Sequence, residues 1–297
     1  MKHLVIACLC AALAWGLPAA AGAEVRVVDD EGVTLVLPAP ARRIVSIAPH
    51  LTELLFAAGA GDRVVAVSAY SDFPPAANAL PRVGDAVLLD LERIVALQPD
   101  LVVVWANGSS PQQLQRLRAA GLPVFSSAAR DLAHIASTLR TLGRLAGTEA
   151  VADQRAASFE RSLIDLRQRY AGRAPLSVFY QIWHAPLMTV NGRHPISEAL
   201  SICGARNVFA DLVPLVPQVD AEAVVAARPE VIVTGRVPGG QGDRLDGWRA
   251  MASLRGVAFL TVDADRLHRA TDRMADGVRD LCEGLQAVRD GRTARPR

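Results

Sequence analysis

The sequence predicts an α/β protein of two similar lobes on parallel sheets, joined by one long helix and preceded by a small β-hairpin. Three observations predict it. Short apolar runs alternate with helical stretches, the pattern of strands fed by crossover helices. One helix-turn-strand unit recurs at an offset of 130 residues. Between the two halves, Thr148 to Ala171 contains neither Pro nor Gly, so nothing in it breaks a helix.

Taken in order, residues 25–37 alternate apolar and polar around Asp29-Asp30-Glu31-Gly32, which predicts a hairpin with an acidic turn. Ile44 to Ile47 is a β-branched run. Pro49 to Ala58 follows as a helix with Leu51, Leu54, Leu55 and Ala58 on one face. Val64 to Val67 is a second strand, Leu91 to Leu97 a helix and Asp100 to Trp105 a buried strand. Pro111 to Ala120 is a helix stopped by Gly121, and Val124-Phe125 a strand. The stretch from Gly147 to Gly172 carries Val151, Phe159, Leu163, Leu166 and Tyr170 mostly three or four apart. As a helix it is about 36 Å long, enough to run from one lobe to the other. Beyond it, Ser177–Ile182, Glu230–Thr234 and Ala258–Val262 read as strands. Ile196–Cys203, Ala221–Ala227 and Asp272–Val288 read as helices.

The repeated unit is the strongest sign of two lobes. Leu91-Glu92-Arg93-Ile94-Val95-Ala96-Leu97-Gln98-Pro99-Asp100-Leu101 returns as Ala221-Glu222-Ala223-Val224-Val225-Ala226-Ala227-Arg228-Pro229-Glu230-Val231. Glu92 aligns with Glu222, Pro99 with Pro229 and Asp100 with Glu230. The interval is far longer than a solenoid period, so two related lobes explain it better than a repeat array.

The 297 residues are 51% hydrophobic and 21% charged, enough to build a sizeable core. The net charge is +2 and Lys2 is the single lysine, so no basic face for nucleic acid stands out. Lys2, the apolar run Leu4 to Leu17 and Ala21-Gly22-Ala23 form an export signal cut after about Ala23. Cleavage removes Cys8 and Cys10. Cys203 and Cys282 then remain in an oxidising compartment, either as two buried thiols or as a bridge, and the compartment favours the bridge. Such a bridge stabilises by roughly 4.5 kcal/mol in the chain-entropy account.

Catalytic signatures are missing: no phosphate loop, no zinc-protease helix, no Cys pair at zinc spacing and no nucleophile elbow. Gly59-Ala60-Gly61 starts like a dinucleotide fingerprint but follows a helix and lacks a third Gly. No pair of His has metal-ligand spacing. The informative side chains are aromatics and a histidine where ligand clefts of open α/β sheets lie, outside the carboxyl ends of strands. Tyr70 follows the second strand, Trp105 ends the third, and Trp183-His184 follows the first strand of the second half. His50 sits at the start of the first helix, where a neutral imidazole can face a cleft.

These residues resemble the periplasmic cobalamin (vitamin B12)-binding proteins of ABC importers, among the helical-backbone metal-chelate receptors. The resemblance runs from about Ala41 to Leu285. It is carried by Arg43-Ile44-Val45-Ser46-Ile47-Ala48-Pro49 with Thr52-Glu53-Leu54, by Tyr70-Ser71-Asp72-Phe73-Pro74-Pro75 and by Leu91 to Leu97. Cys203-Gly204, Asn207-Val208-Phe209, Pro217-Gln218-Val219 and Cys282 complete it.

The resemblance implies two Rossmann-like lobes on a single long helix, a class III periplasmic binding protein. The implied division is a signal peptide at 1–23, lobes at 24–145 and 173–290, the helix at 146–172 and a disordered tail at 291–297. It implies a corrinoid ligand on Tyr70 and Trp105, beside which the strand-end reading places His50 and Trp183, and a second-lobe contact loop Asp265-Arg266-Leu267-His268-Arg269. It also implies permease docking by Glu92 and Glu222, and a Cys203–Cys282 disulfide. The expected partners are the ABC importer permease and its ATPase. A periplasmic monomer is expected, neither membrane-inserted nor bound to nucleic acid, with no cofactor and no catalysis. Ala86 and Val216 stand where the family has pocket tryptophans, Arg266-Leu267 where it has an aromatic pair, and His50 where it has a small residue. A cobinamide-type precursor, haem or a ferric siderophore is the alternative ligand, and an exported α/β hydrolase the alternative of another class.

Overall fold

The structure, a computed structural model, describes residues 23–85, 88–128, 130–236 and 245–291. Most of the expected export segment, Ala86 and the end of the expected tail lie outside these residues. The chain opens with the antiparallel hairpin of β1 (Val25–Val28) and β2 (Thr34–Leu37). Its turn is tied by the Asp29 carboxylate, which accepts from the amides of Glu31 and Val33.

The first lobe follows as β3 (Ile44–Ser46), α1 (Pro49–Ala57), β4 (Val64–Val67), α2 (Leu91–Ala96), β5 (Leu101–Trp105), α3 (Pro111–Ala119) and β6 (Val124–Ser127). Next come α4 (Leu132–Ala146) and the long α5 (Glu149–Tyr170). The second lobe contains β7 (Leu176–Gln181), the small hairpin β8 (Trp183–His184) and β9 (Leu187–Met188), α6 (Pro195–Ile202) and β10 (Ala205–Asn207). It continues with α7 (Ala221–Ala226), β11 (Val231–Arg236), α8 (Asp246–Arg249), β12 (Ala258–Asp263), α9 (Ala264–His268) and α10 (Met274–Arg289).

The two main sheets are parallel and share one topology. Their orders are β4-β3-β5-β6 and β10-β7-β11-β12. In each, the second main strand lies outside the first, and the third and fourth follow on the other side. Parallel strands buried on both faces read as continuous apolar runs, and Leu101–Val104 and Val231–Val233 are buried throughout.

The recurring unit keeps its local chemistry in both lobes. Asp90 and Asp220 cap α2 and α7 by accepting from the amides of Arg93 and Ala223. Gln98 and Arg228, each just before the Pro, share a left-handed backbone with φ of 45° and 47°. Asp100 then accepts from the amides of Arg42 and Arg43 at the foot of β3. Glu230 accepts from the Ser177 amide and hydroxyl near the foot of β7. In each lobe the acidic residue after the Pro therefore pins the neighbouring strand in register.

Helix α5 is unbroken, as expected, and buries Phe159, Leu163, Leu166 and Tyr170. Val151, expected on that face, is half-exposed, and Ala152 and Ala156 are buried in its place. The reason is α4, a helix the strand-helix alternation passes over. It lies along α5, and the close approach suits small residues: a Cβ on Gly143 would sit 2.3 Å from the Ala152 methyl. Helix α4 starts at the Asp131 cap and stops at Gly147, whose φ of 63° lies in the left-handed region that favours glycine and where a Cβ would come within 2.9 Å of Pro40. The lobes are tied behind the cleft by Glu198 of α6, which accepts from the Leu132 amide of α4 and from Arg167 of α5. Cys203 and Cys282 form the disulfide, joining the end of α6 to α10.

Candidate functional site

In a parallel sheet all carboxyl ends point the same way, and the crevice lies where successive connections leave to opposite sides. In the first lobe that point falls between β3 and β5. His50, just after β3, and Trp105, at the end of β5, meet there edge to face with ring centroids 5.2 Å apart. Burial first, and then the nearby Arg269 charge, bring the His50 imidazole down to about 4, so it is neutral at physiological pH. Trp105 remains 36% exposed. After β4, Tyr70 stands in the left-handed region at φ 64° and is 78% exposed. A non-glycine residue at positive φ is strained, and here the turn throws the ring outward.

The second lobe presents Trp183 after β7. It is 48% exposed and its indole N–H donates to the Ala185 carbonyl within the β8–β9 hairpin. The segment expected as a contact loop is a short helix, α9, opened by the Asp263 carboxylate, which accepts from the amides of Asp265 and Arg266. A helix cannot turn five consecutive side chains one way. Leu267 is 1% exposed and packs in the core. The His268 ring turns inward to a 2.8 Å hydrogen bond with the buried Tyr180 hydroxyl. Asp265, Arg266 and Arg269 are the members left on the open side.

Between the lobes lies a charged seam. Glu53 of α1 has a side chain only 1% exposed. Its Oε1 accepts from Arg269 at 2.8 Å and its Oε2 from Arg273 at 3.2 Å. The same Arg269 nitrogen donates to Asp72 at 2.7 Å, and its other Nη lies 3.2 Å from Asp265. Burial pushes the Glu53 carboxyl up, against the pull of both guanidinium groups. At Asp72 burial acts the same way, but the bond and charge of Arg269 outweigh it and hold that carboxyl below its ordinary value. The Arg273 guanidinium also stacks on the Phe73 ring, 3.7 Å from its centroid. Beside the seam, His50, Leu54 and Ser127 face Ala270 around a gap of ≈10 Å³, so the two lobes close tightly here.

Sequence reading thus places His50, Tyr70, Trp105 and Trp183 at the carboxyl ends of the two sheets. It assigns no role to Glu53 or Arg273, whose partners lie 216 and 220 residues away. Helix periodicity turns Glu53 to the side of α1 opposite Leu51, Leu54 and Leu55, so nothing in the local pattern announces its burial by the second lobe. Among the described residues no group of three or more His, Cys, Asp or Glu could hold a metal ion. Glu92 and Glu222 stand in the first turns of α2 and α7, exposed and without a side-chain partner among the described residues.

The chain matches the periplasmic binding protein family over residues 44–247. It is 38% identical over 253 residues to a vitamin B12-binding protein of Vibrio cholerae, covering 85% of this chain and 92% of that one. A vitamin B12-binding protein of Yersinia pestis is 37% identical over 256 residues, covering 86% and 90%. The crystal structure of the periplasmic vitamin B12 binding protein of Vibrio cholerae superposes with a TM-score of 0.76 at 37% identity, covering 84% of this chain and 98% of that one. A periplasmic heme-binding protein of Roseiflexus sp. RS-1 superposes at 0.70 with 24% identity, over 82% and 98%, a likeness of fold alone. No helix among the described residues is long and apolar enough to cross a membrane.

Proposed function

The chain belongs to the periplasmic binding protein family, and on that premise we propose that it captures cobalamin or a related corrinoid between its lobes and delivers it to an ABC importer. The carrying observation is the match, across both lobes and the joining helix, to proteins named for binding vitamin B12. The chemistry of the cleft supports it. Exposed rings on both lobes offer flat apolar contact to a flat macrocycle. In this reading Tyr70, Trp105 and His50 form the first-lobe wall. Trp183, Asp265, Arg266 and Arg269 form the second-lobe wall, with Leu267 and His268 anchoring α9 behind it. The protein makes and breaks no covalent bond.

Delivery rests on Glu92 and Glu222. Two partnerless carboxylates at matching places on two lobes can seat the protein on a two-fold-related basic surface and set its orientation. The reading includes export to the periplasm with cleavage after about Ala23, lobes at 24–145 and 173–290, and a monomeric receptor. The unbroken α5 contains no loop to absorb large φ/ψ changes, which keeps closure small and the cleft largely pre-formed.

Isothermal titration with cyanocobalamin tests the ligand: absence of heat at micromolar protein rejects it. The double change Glu92→Ala, Glu222→Ala tests delivery. Affinity is retained within about two-fold and uptake is lost, because surface carboxylates outside the cleft act through the permease. A haem reading has its own support in the neutral His50 and the outward Tyr70 hydroxyl, both metal-ligand types. A Soret shift with haemin, together with no response to cyanocobalamin, replaces the corrinoid reading with that one.

A further inference from the structure

We infer that Glu53 and Asp72 set the class of macrocycle the cleft accepts, by occupying the arginines that a carboxylate-rimmed ring would need. The inference rests on the corrinoid reading and deepens it. A ring edged with carboxylates is held best by guanidinium groups, which pair with carboxylate in a planar, charge-assisted fork. The second lobe has three arginines on and just after α9, and each already meets a carboxylate. Arg266 faces Asp280 at 3.2 Å and Asp263 at 3.6 Å. Arg269 meets Glu53, Asp72 and Asp265, and Arg273 meets Glu53.

In the seam itself two guanidinium charges face three carboxylates, so the cluster carries one net negative charge. It is drawn from both lobes, with Glu53 and Asp72 on one side and the arginines and Asp265 on the other. An entering carboxylate would have to displace a side chain nine-tenths or more buried, Glu53, or bind against the net charge. A carboxamide has neither difficulty. It is uncharged, its N–H₂ can donate to the exposed edge of Asp72 or Asp265, and its oxygen can accept from the outer guanidinium nitrogens. The cluster therefore selects an amide-rimmed ring over an acid-rimmed ring of the same size, a choice made by repulsion as much as by attraction.

The test follows the Kd ratio of two corrin probes. Cyanocobalamin has a carboxamide rim and a nucleotide loop, and dicyanocobyrinic acid has a carboxylate rim and no loop, so the loop's contribution cancels when the ratio is compared between wild type and variants. Kd for each is measured on the wild type, on Asp72→Asn and on Glu53→Gln/Asp72→Asn at low salt. The wild type is expected to favour cyanocobalamin by about 100-fold or more. In the double variant the ratio narrows by about ten-fold, through tighter binding of the acid, and the narrowing shrinks at 0.5 M salt as charges are screened. Asp72→Asn, at a half-exposed position where the amide can still accept from Arg269, narrows it by about three-fold and keeps the test alive if the double variant does not fold. A wild type that binds cyanocobalamin without discriminating, or a ratio that the substitutions leave in place, overturns the inference alone. A wild type that binds no cyanocobalamin overturns the functional reading and the inference together.

Discussion

The two lobes are built on one plan and finished differently. Both run their four main strands in the same order and repeat the same capped helix, left-handed turn and pinning carboxylate. At their carboxyl ends they part. The first lobe keeps its bonds below the surface, in a buried hydroxyl cluster of Ser46, Thr52, Ser68 and Ser71, and presents rings above: Tyr70 is thrown outward by a strained turn, and Trp105 packs over Gly108 and against the edge of His50. The second lobe knits the same region together. His268 is bonded to Tyr180 and the Trp248 indole donates to Gln181 at 2.6 Å, while at the opposite end of the sheet, beside the start of β10, a disulfide holds α6 to α10. The comparison teaches that one scaffold can present exposed rings on one wall and inward-bonded side chains on the other, with the charged seam setting them against each other.

The largest way to break that contrast is to remove the covalent tie. Cys203→Ser with Cys282→Ser is expected to destabilise the protein by about 4 kcal/mol. Hydrogen exchange should show α6 and α10 loosened while the first-lobe sheet keeps its protection. Uniform loss across both lobes would mean that they do not differ in this way. Next in size, Glu53→Ala leaves two guanidinium groups in the seam without their shared partner. The expected cost is about 3 kcal/mol in thermal or denaturant unfolding, because breaking a buried pair strands its charge.

Acid tests one histidine in each lobe. Burial, then Arg269, holds His50 near 4, and burial, then His268, holds His194 near 4. Both lie below the ordinary 6.5, so the unfolded chain takes up these protons first as pH falls. The stability they support is present above about pH 6.5 and is lost on the way to pH 4. A melting series from pH 7.5 to 5.5 should show a decline of about 2.5 kcal/mol, and His50→Gln should remove about half of it. The smallest effect sharpens the shared plan. Asp100→Ala, which frees two amides, should cost about 1.5 kcal/mol, and Glu230→Ala, which frees one amide and a hydroxyl, about 1 kcal/mol. Equal and negligible costs would mean that the recurring carboxylates do not pin the strands.

Much of this was legible along the chain because it is local. Periodicity marks the helices, a Pro with an acidic residue behind it marks the feet of β5 and β11, and uninterrupted helix formers mark α5. Helix α4 was legible too, in Asp131 followed by Leu132, Ile135, Leu139, Leu142 and Leu145, but helices and strands do not alternate there. Val151 lies half in solvent because its neighbour along α5 is Ala152, and the close crossing with Gly143 selects the smaller side chain. The segment at 265–269 follows a strand and contains charge, which reads as a loop. Its helical form, with Leu267 and His268 turned inward, depends on partners in β7 and the core.

The amino-acid sequence by itself determined the two parallel-sheet lobes, the rod between them, the cysteine pair and the aromatics at the strand ends. The elements follow from spacing and residue type within a few turns of chain, and the two lobes and the cysteine pair follow from a repeated unit and from which cysteines the export signal leaves. Only the tertiary structure decided which charges meet. Glu53, Asp72, Arg269 and Arg273 form one seam between the lobes because folding brings positions about two hundred residues apart within 3.2 Å of each other. Coulomb attraction acts on distance in space, and distance along the chain does not report it.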